Sequence, residues 1–226
     1  MKKLILAACI LIGAQGVFAQ SPVTQNVGDF TALRVSNKIP VTLVASSSQK
    51  VEVTGAQNGN VQVINKNGEL KIRMSTLKSF NGSDVNVTVY YNTSKLNTVQ
   101  ASQGATIQAK DDFKGSALSL SASQGSTITL GVKTKDLQSS VGSGGTITVS
   151  GTSNTQTVKI SSGGTFTGDK LKAKQTTVTV SAGGTATVYA SDSVDAKIRA
   201  GGTINIYGKP KTVNKKTTAG GTINVY

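Results

Sequence analysis

Gly201–Tyr207 reads GGTINIY, and Gly220–Tyr226 reads GGTINVY, one residue different and nineteen places later. The same motif, less strictly kept, runs back through the chain. Its copies are QGATI, QGSTI, GGTI, GGTF, GGTA, GGTI and GGTI, with first glycines at Gly104, Gly125, Gly144, Gly163, Gly183, Gly201 and Gly220. The spacing averages about 19 residues. A repeat of that length is one structural unit that cannot bury its own apolar face and must stack on its neighbours.

The columns of the repeat give the direction of the side chains. Thr106, Thr127, Thr146, Thr165, Thr185, Thr203 and Thr222 stand two places after the first glycine. Ile107, Ile128, Ile147, Phe166, Ala186, Ile204 and Ile223 follow them, and Thr, Gln or Asn comes next. Polar and apolar residues thus alternate with period two, the pattern of a half-buried strand. A second alternating run precedes most glycines, as in Val178, Val180 and Ala182. Gly144, Gly163, Gly183, Gly201 and Gly220 are read as structural corners, because glycine reaches positive φ without a Cβ clash. The predicted fold is all-β: a parallel β-helix or β-solenoid with rungs of about 19 residues. Its coil has two short strands, a glycine corner and a polar turn. A meander of antiparallel hairpins is the alternative, but it does not require like residues in like columns.

Residues 20–100 are also rich in strand signals but less repetitive, with Asn58-Gly59, Asn67-Gly68 and Asn81-Gly82 as hairpin-type turns. Neither a proline-rich nor a charged linker separates this part from the repeats. The sequence therefore predicts one domain over 20–226. Its strands in 20–100 form a capping layer, and 101–226 is a seven-rung repeat region.

Lys2 and Lys3, then the apolar Leu4–Ile12, then Val17-Phe18-Ala19 read as a signal peptide over 1–19, with Gln20 as the first mature residue. Leu6-Ala7-Ala8-Cys9 is a rival lipoprotein box, but it leaves a short apolar core and an apolar tail. The localisation expected is export, to the cell surface or extracellular space or to the periplasm. No other long apolar segment follows, so the mature protein is expected to be soluble or peripheral.

Composition excludes several chemistries. The chain has no histidine and no tryptophan, and its one cysteine lies in the signal. Cys/His zinc sites and Ser-His-Asp or Cys-His catalysis therefore have no residues to use. The ten acids are Asp29, Glu52, Glu69, Asp84, Asp111, Asp112, Asp136, Asp169, Asp192 and Asp195. None recurs in a fixed column, so a polysaccharide lyase or hydrolase with clustered carboxylates finds no support. The reading is a non-enzyme with no catalytic residue, cofactor or metal.

Binding has better candidates. Tyr189, Tyr207 and Tyr226 stand six places after the glycine in the last three rungs, and parity sends them outward with Thr185, Thr203 and Thr222. Stacked exposed aromatics suit sugar rings or a partner surface; they also serve as a stabilising ladder. The Thr-x-Thr rows resemble the ice-binding faces of some solenoids, though threonine is simply a good strand residue. The formal net charge is +14, with lysines assigned to turns at Lys133, Lys135, Lys170, Lys172, Lys174, Lys209, Lys211, Lys215 and Lys216. A basic edge of this kind meets anionic envelope polymers or lipid headgroups, or serves solubility and edge protection. Nucleic acid is not expected. The strand at Gly220–Tyr226 offers an edge for self-association.

The order of several segments resembles a known family. Phe30-Thr-Ala-Leu-Arg-Val-Ser is followed by Ile39-Pro-Val-Thr-Leu, Gly68-Glu-Leu-Lys-Ile, Val85-Asn-Val-Thr-Val-Tyr and Leu96-Asn-Thr-Val, then by the glycine repeats ending in GGTIN. This arrangement resembles the "putative autotransporter adhesin, head GIN domain" family over roughly residues 28–226. The resemblance implies an exported all-β solenoid of bacterial envelopes with a role in adhesion, and it brings no catalytic residues. The expected function is adhesion or polysaccharide and surface binding. The alternative is a periplasmic structural or lipid/polysaccharide-associated protein.

Overall fold

The computed structural model describes residues 21–75, 82 and 84–226. The signal segment, with Cys9, Ala19 and Gln20, and the turn residue Asn81 lie outside the described residues.

Among the described residues nineteen strands join in a single sheet. They are β1 (Val23–Asn26), β2 (Ala32–Val35), β3 (Pro40–Ala45), β4 (Lys50–Gly55), β5 (Val61–Lys66), β6 (Glu69–Met74) and β7 (Val85–Tyr91). Then come β8 (Thr98–Ala101), β9 (Thr106–Ala109), β10 (Phe113–Ala122), β11 (Thr127–Val141), β12 (Thr146–Ile160), β13 (Thr165–Thr167) and β14 (Leu171–Val180). The last are β15 (Thr185–Tyr189), β16 (Ser193–Ala200), β17 (Thr203–Tyr207), β18 (Thr212–Ala219) and β19 (Thr222–Val225). One 3-10 turn, Asn58–Asn60, is the sole helical element among the described residues. It takes the place of the hairpin expected at Asn58-Gly59.

The repeats stack in parallel and in register, as a solenoid and not as a meander. In the ladder that follows the glycines, Ile107, Ile128, Ile147, Phe166, Ala186, Ile204 and Ile223 pair in succession. The first six are fully buried. In the ladder that precedes the glycines, Val99, Leu120, Ser139, Val158, Val178 and Ala196 pair in the same way. Both inward columns enter one continuous core. Neighbouring coils are held about 4.8 Å apart by the backbone bonds.

The coil has a third paired side where the sequence predicts a polar turn. Phe113–Gly115, Val132–Thr134, Gly151–Ser153 and Leu171–Ala173 form a short parallel ladder of their own. Lys133, Lys135, Lys172 and Lys174 therefore lie in strands, as do Lys215 and Lys216 of β18. Of the lysines assigned to turns, Lys170, Lys209 and Lys211 do lie between strands.

The N-terminal strands cap the stack, and two coils of the solenoid lie within them. β2 sits between β6 and β8, and β3 between β7 and β9, all parallel. Order along the stack thus departs from order along the chain. Antiparallel pairs β4–β7, β1–β4 and β5–β6 close the outside. The β5–β6 hairpin turns at Asn67–Gly68, both at positive φ, as its sequence predicts.

At the opposite end, Lys215 occupies the column of Ala196 and Thr217 that of Ile198. A charge at an inward column position opposes addition of another strand. The edge at β19 does the reverse, with Val225 and the following Tyr226 exposed.

Packing within the core balances large against small. Phe166 pairs with Ala186, and a Cβ on Gly168 would come within 2.6 Å of its ring. The larger side chain therefore fills room that its neighbours give up.

The two glycines of a corner have different reasons. Gly144 has φ +70, and nothing lies within 4 Å of a Cβ built there. With the preceding Ser143 at φ +50 it makes a left-handed pair, and Gln103–Gly104, Gln124–Gly125 and Ser162–Gly163 repeat it. Gly145 has no such φ, but its Cβ would stand 2.4 Å from the Ala122 carbonyl oxygen of the coil below. In the last three coils the left-handed pair moves onto both glycines, as in Gly201–Gly202. We expect Gly144→Ala to cost about 1 kcal/mol through backbone conformation alone. Gly145→Ala should cost more, about 1–3 kcal/mol, because the coils must part. Thermal unfolding of the two variants distinguishes the causes; equal losses would contradict them.

Candidate binding surfaces

The ladder after the glycines presents its outward columns as a regular face. Thr106, Thr127, Thr146, Thr165, Thr185, Thr203 and Thr222 pair in unbroken succession. Beside them run Thr42, Gln108, Thr129, Thr148, Thr167, Thr187, Asn205 and Asn224. In a parallel sheet like side chains lie directly above one another, so polar partners recur: Asn224 Nδ2 donates to Asn205 Oδ1 at 3.0 Å.

The three tyrosines share this face but do not form one ladder. Tyr207 and Tyr226 stack, with ring centroids 4.8 Å apart and planes 13° from parallel. They are 38% and 57% exposed. Tyr189 pairs with Tyr207 through the backbone, but its ring is half-buried over Gly208, where a Cβ would stand 2.8 Å from Cζ. Thr185 and Thr203 are half-buried and Thr222 is exposed. The exposed aromatic surface at this end of the face is therefore the Tyr207–Tyr226 pair, with Thr203, Thr222 and the Asn pair beside it. The corner residues Gly144, Gly163, Gly183, Gly201 and Gly220 all have positive φ and stand outside this face.

A second cluster was not singled out in the sequence. On β4, Lys50 Nζ lies 2.6 Å from Glu52 Oε1, and Tyr90 of β7 donates its hydroxyl to Glu52 Oε2 at 2.9 Å. The same ammonium stands 4.5 Å from the centre of the Tyr90 ring. Lys50 and Glu52 share a strand face by parity, which the sequence carries; the antiparallel β4–β7 register that brings Tyr90 to them it does not. The hydrogen bond from Lys50, then that from Tyr90, holds the Glu52 carboxyl below its ordinary value. The same carboxylate raises the Tyr90 hydroxyl and the Lys50 ammonium.

The acids are otherwise dispersed. Asp112 meets Lys133 at 3.1 Å, and Asp192 meets Lys211 at 4.0 Å. Among the described residues no three His, Cys, Asp or Glu side chains gather where a metal ion could be held.

The chain belongs to the family described as "Putative auto-transporter adhesin, head GIN domain", whose model matches residues 29–210. In structure it is similar to a putative adhesin from Bacteroides fragilis, at a TM-score of 0.83 and 17% identity, covering 92% of this chain and 98% of that one. A putative adhesin from Parabacteroides distasonis gives a TM-score of 0.74 at 20% identity, covering 91% and 96%. A putative lipid binding protein from Parabacteroides distasonis gives 0.70 at 16% identity, again covering 91% and 96%. At these identities the likeness is one of fold. No curated protein matches the chain. The family match places it among adhesin-like proteins.

The Glu52 cluster makes a pH prediction with a definite sign. Its folded pKa lies below the ordinary 4.5, so its contribution is present above that value and is lost as pH falls through the folded pKa. Glu52→Gln should therefore leave the melting temperature less dependent on pH below about 4.5 than in the wild type. Identical acid limbs in the two proteins would contradict the assignment.

Proposed function

We propose that this chain is an exported, non-enzymatic β-solenoid of the cell envelope that binds polysaccharide or another surface partner. The observation that carries this reading is the exposed Tyr207–Tyr226 stack, bordered by Thr203, Thr222 and the Asn205–Asn224 pair. Two parallel rings give an apolar platform for the face of a sugar. The hydroxyls and amides beside it supply directed hydrogen bonds. Tyr207 ends β17, and Tyr226 follows β19 with its backbone N–H donating to the Ile206 carbonyl at 2.9 Å, so the backbone positions both rings before a ligand arrives.

Membership of an adhesin family supports a surface role, and export is read from the charged and apolar segment at residues 1–19. A second reading, a periplasmic protein associated with lipid or polysaccharide, is favoured by one observation. A protein of the same fold is described as a putative lipid binding protein.

Replacing Tyr207 and Tyr226 together by Ala should reduce binding to glycan arrays or whole cells at least tenfold, with the melting temperature changed by only a few degrees. Unchanged binding would remove the platform from consideration. Location is tested by treating intact cells with a protease that cannot cross the outer membrane. Loss of the protein, with a periplasmic control untouched, fits the surface reading; full protection fits the periplasmic one.

A further inference from the structure

The third side of the coil carries a column of cations. Lys114, Lys133, Thr152 and Lys172 are register partners on four successive coils. All four are exposed. Lys135 and Lys174 lie two residues further along their strands and are exposed as well. Lys133 meets Asp112 at 3.1 Å. Lys114, Lys135, Lys172 and Lys174 have no carboxylate within ion-pair distance among the described residues. Like charges directly opposite one another on adjacent strands cost stability. The corresponding outward columns elsewhere in these coils are filled largely by Thr, Ser, Gln and Asn.

The column ends at a groove. β10 pairs with β8 only over Ser119–Ala122, so the earlier part of its edge lies open beside the turn at 92–97. Between them is a cavity of about 520 Å³, bordered by Thr93, Ser94, Lys95, Lys114 and Ser116. That volume is in the range of small-ligand sites. Its polar lining is hydroxyl, amide and ammonium, beside the apolar Leu96 and Ala117; the Lys95 ammonium is paired with Asp29, which leaves Lys114 as the cation unpaired among the described residues. Lys114 belongs to both groove and column, so the two are continuous.

We propose that this groove and lysine column bind a linear anionic glycan, one bearing carboxylate or phosphate groups along its length. One unit sits in the groove and the chain runs along the stack axis over Lys114, Lys133 and Lys172. Neighbouring coils place cations about 5 Å apart and alternate coils about 10 Å apart, the scale of one and two sugar units. A membrane is a poorer fit. The large apolar side chains exposed among the described residues are Val23, Ile64, Tyr207, Val225 and Tyr226, none of which borders this site. Single-stranded nucleic acid needs stacking aromatics, and the aromatic pair nearest β10, Tyr91 with Phe113, is buried. The site lies on other coils than the tyrosine platform and does not depend on it.

The test is titration calorimetry with polygalacturonate at low and high salt, with neutral dextran and phosphatidylglycerol vesicles alongside. The wild type should bind polygalacturonate, with affinity falling as salt rises, and should not bind dextran. Lys114→Gln/Lys133→Gln/Lys172→Gln should lose at least tenfold in affinity. Lys209→Gln/Lys211→Gln/Lys216→Gln, with the same change in net charge elsewhere, should lose less than threefold. Melting curves confirm that both variants are folded. Absence of polygalacturonate binding by the wild type, or equal losses in the two variants, would overturn the proposal. So would vesicle binding that depends on Lys114, Lys133 and Lys172 without glycan binding.

Discussion

Every coil of this molecule depends on the parallel, in-register backbone hydrogen bonding that ties it to the next. A parallel ladder sets residue against residue at a fixed interval, so each column becomes a line of side chains sharing one environment. Inward columns must be apolar and must fill the same width; outward columns must tolerate a near neighbour of the same kind on both sides. Isoleucine meets the first demand and threonine the second, and this is why the two dominate adjacent columns. The corner must repeat as well, since a coil that turned differently would lose its register with both neighbours.

Departures from the repeat are absorbed locally. Phe166 in an isoleucine column is accommodated by Ala186 and Gly168. Gln156 and Thr176 take over the column of Leu118 and Leu137, with the Thr176 hydroxyl 3.2 Å from Gln156 Oε1 and 3.0 Å from the Tyr189 carbonyl. These bonds satisfy the Thr176 hydroxyl and the Gln156 carbonyl oxygen, whereas Gln156 Nε2 is buried with no hydrogen-bond partner among the described residues, a cost that the surrounding core must offset. The shift of the left-handed pair, from Ser143–Gly144 to Gly201–Gly202, is another local solution to one global demand.

The same stacking makes surfaces. Because columns continue from coil to coil, an outward substitution pattern becomes a linear feature along the axis: hydroxyls on one side, lysines on another, a pair of aromatic rings at one end. The family's adhesin-like character is in keeping with this geometry.

By itself the sequence determined that the chain is a β-solenoid, which way each repeat residue faces, and where the corners fall. These follow from period-two alternation and column identity, both local properties of the chain. The outward direction of Tyr189, Tyr207 and Tyr226 was equally legible from parity. Tertiary structure alone decided that Tyr207 and Tyr226 stack while Tyr189 folds over Gly208, because that choice rests on space left by another coil. It also decided that Lys133, Lys135, Lys172, Lys174, Lys215 and Lys216 lie in strands. Polar residues without clean alternation look like turns until neighbouring coils supply their hydrogen bonds. The insertion of β2 and β3 between later strands was likewise beyond the sequence, since parallel pairing between distant segments leaves no mark in either one alone.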